Sequence, residues 1–263
     1  WVYFASPGDS TMQRARISDA GQALSPPMCI LVDPKGRVMW GEYDSRRAHG
    51  KPIRVFVSDD GGASYEVAFV FEGGSIRHVH SLLYDPTANG YWVFVGDELH
   101  EPGIGFLSGD FKTLEWLGKG EQRYRAVEAF DFGDHLVYGI DSELERNAIV
   151  AMDKKSGRVE RLQELSGSCI YACRFGSIFA MSTSVEPSHV NTSPMAELWL
   201  SRDGHQWSRC FSGRKDIFPP RLFQFGSIVL PRGCGPSETI ILSGQALSGI
   251  DNTILVANWN GSS

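Results

Sequence analysis

The sequence predicts an all-β fold, a five-bladed β-propeller, and three observations carry that expectation. A short turn signature recurs along the chain. The strands between its copies are short apolar runs bounded by Gly, Asp, Asn and Pro, and no long amphipathic helix interrupts them. The signature is clearest in Ser58-Asp59-Asp60-Gly61-Gly62-Ala63-Ser64-Tyr65. One residue shorter, it returns in Ser201-Arg202-Asp203-Gly204-His205-Gln206-Trp207. Ser108-Gly109-Asp110 followed by Trp116, and Asp153 followed by Ser156 and Gly157, are fainter copies. The aspartates at 60, 110, 153 and 203 stand 50, 43 and 50 residues apart. A period of roughly 40–50 residues in a strand-rich chain is the mark of a propeller.

Taken in order, five repeats emerge. The first runs over 28–73, the second over 74–120, the third over 121–165, the fourth over 166–213 and the fifth from 214 to the end. The first four each hold four apolar runs, such as HVHSLLYD, YWVFVGDE, IGFLSGD and LEWLG in the second. The fifth holds three. The strand-like run Trp1–Ser6 is left over at the other end and is expected to complete the last blade, which would leave few open sheet edges. Residues 1–263 then form a single propeller domain. The alternative is six blades, with Ser18-Asp19-Ala20-Gly21 as a relic turn of the extra one.

In the turn itself, Asp and Ser side chains bond to nearby backbone N–H groups, and Gly supplies a backbone angle that other residues resist. The pattern resembles the Asp-box (BNR) repeat of sialidase-like propellers. The resemblance is close at Ser58, good at Ser201, and through the repeats covers most of the chain. It implies a carbohydrate-processing propeller, a glycoside hydrolase acting on an acidic or hydroxyl-rich glycan.

Composition bounds the other classes. A net charge of -6 argues against generic binding to nucleic acid or to anionic membranes, and no apolar run is long enough to span a bilayer. Five cysteines, an odd number with no CxxC pair, read as reduced thiols. Asn191-Thr192-Ser193 and Asn260-Gly261-Ser262 fit the glycosylation sequon.

Propeller geometry says where chemistry would sit. The start of each first strand and the end of each second strand open on one face, opposite the repeated turns. The second strands end in Glu42, Asp97, Asp141 and Glu186, a carboxylate after an apolar run in four successive repeats. The first strands align on Tyr84, Phe132, Phe175 and Phe225. Four residues earlier stand His80, Glu128, Tyr171 and Arg221. Strand side chains alternate, so these positions share a face that is apolar at depth and polar at its mouth. Arg77 and Arg125 match one another in the same alignment, with His78 beside Arg77.

A pocket so rich in titratable groups suits glycosidic cleavage, in which neighbouring carboxylates take separate acid and base roles. The catalytic acids are expected among Glu128, Asp97, Asp141 and Glu186. Substrate contacts are expected from Arg77, His78, His80, Arg125, Tyr171, Arg221 and Glu42. Tyr171 with Glu128 resembles the Tyr/Glu nucleophile pair of sialidases. Arg77, Arg125 and Arg221 are the candidates for that family's arginine clamp. This reading needs no cofactor. In the alternative, a metal-dependent lyase-like enzyme, His78 and His80 bind a divalent metal with Asp97, Asp141 or His189. A non-catalytic glycan- or protein-binding propeller is the third possibility.

Overall fold

A computed structural model describes residues 2–6, 8–18, 25–43, 50–220 and 222–259. The chain falls into two compact units, Trp1–Arg125 and Ala126–Ser263, taken here in turn.

The first unit opens with β1 (Tyr3–Phe4), β2 (Gln13–Arg14) and β3 (Arg16–Ile17). Its first full sheet follows as β4 (Leu31–Val32), β5 (Val38–Gly41), β6 (Ile53–Ser58) and β7 (Ser64–Phe71), paired in that order. The second is the antiparallel meander β8 (Val79–Asp85), β9 (Gly90–Val95), β10 (Gly103–Ser108) and β11 (Leu114–Lys119). Inner strands are covered on both faces and read as continuous apolar runs, whereas outer strands are half-exposed. Every residue of β9, GYWVFV, is buried, while β11 is at most half-buried throughout. Met39, Val55, Val79, Tyr91 and Val93 share one apolar cluster of this unit. A 3-10 turn, Gln122–Tyr124, closes it.

The second unit begins with the meander β12 (Ala126–Asp131), β13 (His135–Ile140), β14 (Ala148–Asp153) and β15 (Val159–Glu164). A second meander comprises β16 (Ser168–Phe175), β17 (Ile178–Val185), β18 (Met195–Ser201) and β19 (Ser208–Arg214). Then come β20 (Gly226–Val229), β21 (Cys234–Gly235), β22 (Thr239–Gln245) and β23 (Ile254–Asn258). The last strands do not stand apart. Ser184 and Val185 of β17 pair with Ser227 and Gly226 of β20, and β21 runs parallel to β16.

A repeating irregularity marks the four meanders as copies of one plan. Each carries a β-bulge where its third strand pairs with its fourth: at Val55/Phe56, Ile104/Gly105, Ile149/Val150 and Leu198/Trp199. The signature turns join those same two strands. In the first, Asp60 accepts the Ser64 N–H at 2.8 Å and the Ser64 hydroxyl at 2.6 Å, while the Ser58 hydroxyl accepts the Gly62 N–H at 2.8 Å. The bonds made to Asp60, led by the one from the Ser64 hydroxyl, hold its carboxyl down at about 2. In the second, Asp203 accepts the His205 and Gln206 N–H groups, each at 2.8 Å, and Ser201 accepts that of Gly204 at 2.9 Å. Gly62 and Gly204 stand at φ of 96° and 76°, where a side chain is strained.

Two segments singled out in the sequence take these places. Tyr3–Phe4 pairs with Gln13–Arg14, and Arg16–Ile17 runs parallel to β7. Val2, Phe4 and Ile17 pack on the cluster of Trp40, Phe56 and Tyr65. The described part of the N-terminal run therefore packs on the first sheet through its apolar side chains. Asn191 of the sequon is buried, with its amide bonded to the Ser142 carbonyl at 2.9 Å and to Asn147 at 2.9 Å. The second sequon and most of the Ser18–Gly21 turn lie outside the described residues. All five cysteines are free.

Candidate functional site

Several of the sequence-predicted residues lie near one another within each unit. In the first unit, β8 delivers His80, the residue just before that strand is His78, and the loop after β9 delivers Asp97. Gly96 makes that delivery possible. It sits at φ of 90°, and a Cβ there would lie 2.4 Å from the Glu101 backbone. The two imidazole Nε2 atoms are 3.0 Å apart. Asp97 lies 3.0 Å from each, through Oδ2 to His78 and through Oδ1 to His80. Arg125 reaches Oδ1 at 3.2 Å, and Arg77 stands 3.9 Å from Oδ2 while pairing with Glu98 at 3.2 Å. The Tyr43 ring stacks on His78 with centroids 4.1 Å apart.

Electrostatics fix the state of this cluster. Burial tends to raise the Asp97 carboxyl, but hydrogen bonds from His78 and His80 outweigh it and hold the group far below the usual carboxylate range. Burial pushes the His78 imidazole down, against the pull of Asp97. The same contacts favour the ionised form of Asp97.

Glu42 is also corrected. Its side chain is fully buried and meets Arg54 in a two-pronged pair, Oε1 to Nη2 at 2.7 Å and Oε2 to Nε at 3.0 Å. The Arg54 backbone N–H adds a third bond at 3.0 Å. Both carboxylate oxygens are committed to tying β5 to β6, so Glu42 cannot contact a substrate. A signal was present in the sequence: an arginine inside the apolar run IRVFVS must find a buried partner.

In the second unit, β12 presents Glu128, β16 presents Tyr171, and the ends of β13 and β17 present Asp141 and Glu186. Glu128 accepts the Ala172 N–H at 2.9 Å and is ion-paired with Arg232. The Arg232 guanidinium stands over the Tyr171 ring, 5.9 Å from its centroid. Burial pushes the Tyr171 phenol up; Arg232 opposes that, while Glu128 and Glu186 add to it. Asp141 and Glu128 both act on the buried Cys169 thiol, which burial chiefly drives upward. Arg232 was not anticipated, since it lies in the irregular segment Pro231-Arg232-Gly233 where no period guides alignment. Arg221, the expected arginine, lies outside the described residues.

Bulges aim these side chains. The pairing of first with second strand shifts register between Val79 and Ser81, between Ala126 and Ala129, and between Cys169 and Tyr171. His80, Glu128 and Tyr171 therefore each stand at or beside an extra residue, a device that re-aims side chains near sites. A separate cavity of about 690 Å³ in this unit is lined by Arg146, Arg161, Glu164 and Asn191 among others, and by none of the predicted acids.

No family model matches the chain, and no curated protein matches it in sequence. Its fold does match solved structures. One is a putative exo-β-1,3-galactanase from Bifidobacterium bifidum s17, at 10% identity and TM-score 0.52, covering 94% of this chain and 96% of that one. Another is an exo-β-1,3-galactanase from Phanerochaete chrysosporium with bound β-1,3-galactotriose, at 14% identity and TM-score 0.51. That match covers 88% of this chain and 59% of the galactanase's length. The β-propeller domain of the Trilobed protease from Pyrococcus furiosus matches at 10% identity and TM-score 0.50, over 89% of this chain and 68% of that one. The chain is all-β with a β-propeller fold.

Proposed function

We propose that the chain is a carbohydrate-active propeller that hydrolyses glycosidic bonds, with the reacting groups supplied by the second unit. One observation carries this reading: the Arg232 guanidinium stands over the Tyr171 ring, 5.9 Å from its centroid, and is ion-paired with Glu128, whose other carboxylate oxygen accepts the Ala172 N–H. Glycosidic cleavage needs a group to attack the sugar and another to protonate the departing oxygen. Tyr171 is the attacking group, in the manner of the sialidase pair. Glu128, positioned by Arg232 and the Ala172 N–H, takes its proton. Glu186 protonates the departing oxygen; water then attacks the sugar carbon, Glu186 takes the water proton, and Tyr171 leaves with the proton returned by Glu128, while Asp141 adds negative charge opposite a developing oxocarbenium ion. Arg232 suits a carboxylate or hydroxyl-rich ring. The galactanase neighbours support a carbohydrate ligand through their shared fold. Five blades remain our count, supported by the four bulged meanders and the strands after them.

The test is release of reducing sugar from β-1,3-galactan and from uronic- and sialic-acid glycans by wild type and Tyr171→Phe. Turnover of one class, lost in the variant by about a hundredfold, supports the reading. Turnover untouched by the variant refutes it.

A further inference from the structure

The geometry of His78, His80 and Asp97 points to a binding site for one divalent first-row transition-metal ion in the first unit, and we infer that these three residues are its ligands. The inference is independent of the hydrolytic reading, which uses other residues.

Protons alone cannot satisfy the cluster. Three contacts of 3.0 Å join the two Nε2 atoms and the carboxylate in a closed triangle. Each Nε2 carries at most one hydrogen, and an ionised carboxylate carries none. If both hydrogens point to Asp97, two N–H groups face each other. If one points to the other imidazole, that ring turns a bare lone pair toward Asp97. One edge is therefore always repulsive. A cation within reach of all three converts every edge to attraction, because each nitrogen then offers its lone pair and each ring keeps its hydrogen on Nδ1.

The dimensions choose the ion. A metal about 2.1 Å from both nitrogens would see their 3.0 Å separation under an angle of roughly 90°. That is the cis angle of an octahedron, narrower than the tetrahedral angle of structural zinc. Two imidazoles and one carboxylate on one face, leaving positions open, is a ligand set suited to iron(II), cobalt(II) or nickel(II) rather than to calcium or magnesium. Two neighbours hold the ligands in place. Arg125, 3.2 Å from Oδ1, orients the carboxylate, and the stacked Tyr43 ring fixes the plane of His78. His78 and His80 are 0% and 2% exposed, so the ligands are ordered before the ion arrives.

The experiment is calorimetric and spectroscopic titration of the chelator-treated protein with cobalt(II). Uptake of one equivalent, with the weak visible bands of six-coordinate cobalt, is expected. Affinity should fall at least about a hundredfold in His80→Gln and in Asp97→Asn, with circular dichroism unchanged. A second measurement needs no variant. Long-range proton–nitrogen spectra of the wild type with zinc(II) should move the Nε2 resonances of His78 and His80 and leave both rings protonated at Nδ1. No uptake of cobalt overturns the proposal. Uptake that persists in both variants, or zinc addition that leaves both histidine rings unmoved, also overturns it.

Discussion

Removing the Glu42 carboxylate tests whether this residue is a staple of the fold rather than part of a sugar site. Glu42 and Arg54 are 0% and 3% exposed, and the pair is closed by contacts of 2.7 and 3.0 Å. In Glu42→Ala the guanidinium stays buried without its counter-charge. Leaving one member of such a pair costs about 3–5 kcal/mol, far more than the ~1 kcal/mol of an exposed ion pair. Replacing both by apolar residues of similar volume removes the stranded charge, so Glu42→Leu with Arg54→Met should recover most of the loss. Urea unfolding reads this directly. With a slope of about 1–3 kcal/mol/M, the single variant should lower the midpoint by at least about 1 M while the slope stays constant. A loss under about 1 kcal/mol in Glu42→Ala, or a double variant no better than the single, would refute the reasoning.

Three further outcomes follow from the same geometry. Ser201→Ala strands the buried Gly204 N–H and should destabilise the second unit by about 1–3 kcal/mol by denaturant titration, whereas a change near zero would deny the turn its structural role. Gly139→Ala places a methyl 2.2 Å from the Cys169 sulfur and should cost about 1–3 kcal/mol through overpacking; an unchanged melting temperature would contradict that. Stability should also decline as pH falls. His78 is held below its ordinary value near 6.5, so its contribution is complete above that pH and is lost on acidification. Asp97, held below 3.8, adds a second loss that begins only as pH falls past that value. A urea midpoint that does not drop between pH 7 and pH 5 would contradict the assignment for His78.

The strand plan was legible because it rests on local chemistry. Apolar runs such as YWVFV bury on both faces, and the Ser-Asp-Gly turns close through their own side chains. The candidate sites were legible only in part. Alternation along a strand assumes an unbroken register, and bulges beside His80, Glu128 and Tyr171 break it. The carboxylates after second strands looked equivalent in sequence, yet Glu42 is consumed by Arg54, Asp97 is held by two histidines and Arg125, and Asp141 and Glu186 belong to the second unit. What separates them is the partner each meets through tertiary packing. Arg232 acquires its role only by lying against Tyr171 and Glu128, and no spacing along the chain announces it.

The most direct test of the hydrolytic account compares kcat/KM for Glu128→Gln, Tyr171→Phe, Glu186→Gln and Asp141→Asn on whichever glycan the wild type cleaves. The account predicts that the Tyr171 and Glu128 changes each lose about a hundredfold, or about 2.7 kcal/mol of transition-state stabilisation, while His80→Gln loses less than tenfold. Full activity in the Tyr171 and Glu128 variants, with activity abolished by His80→Gln, would contradict it.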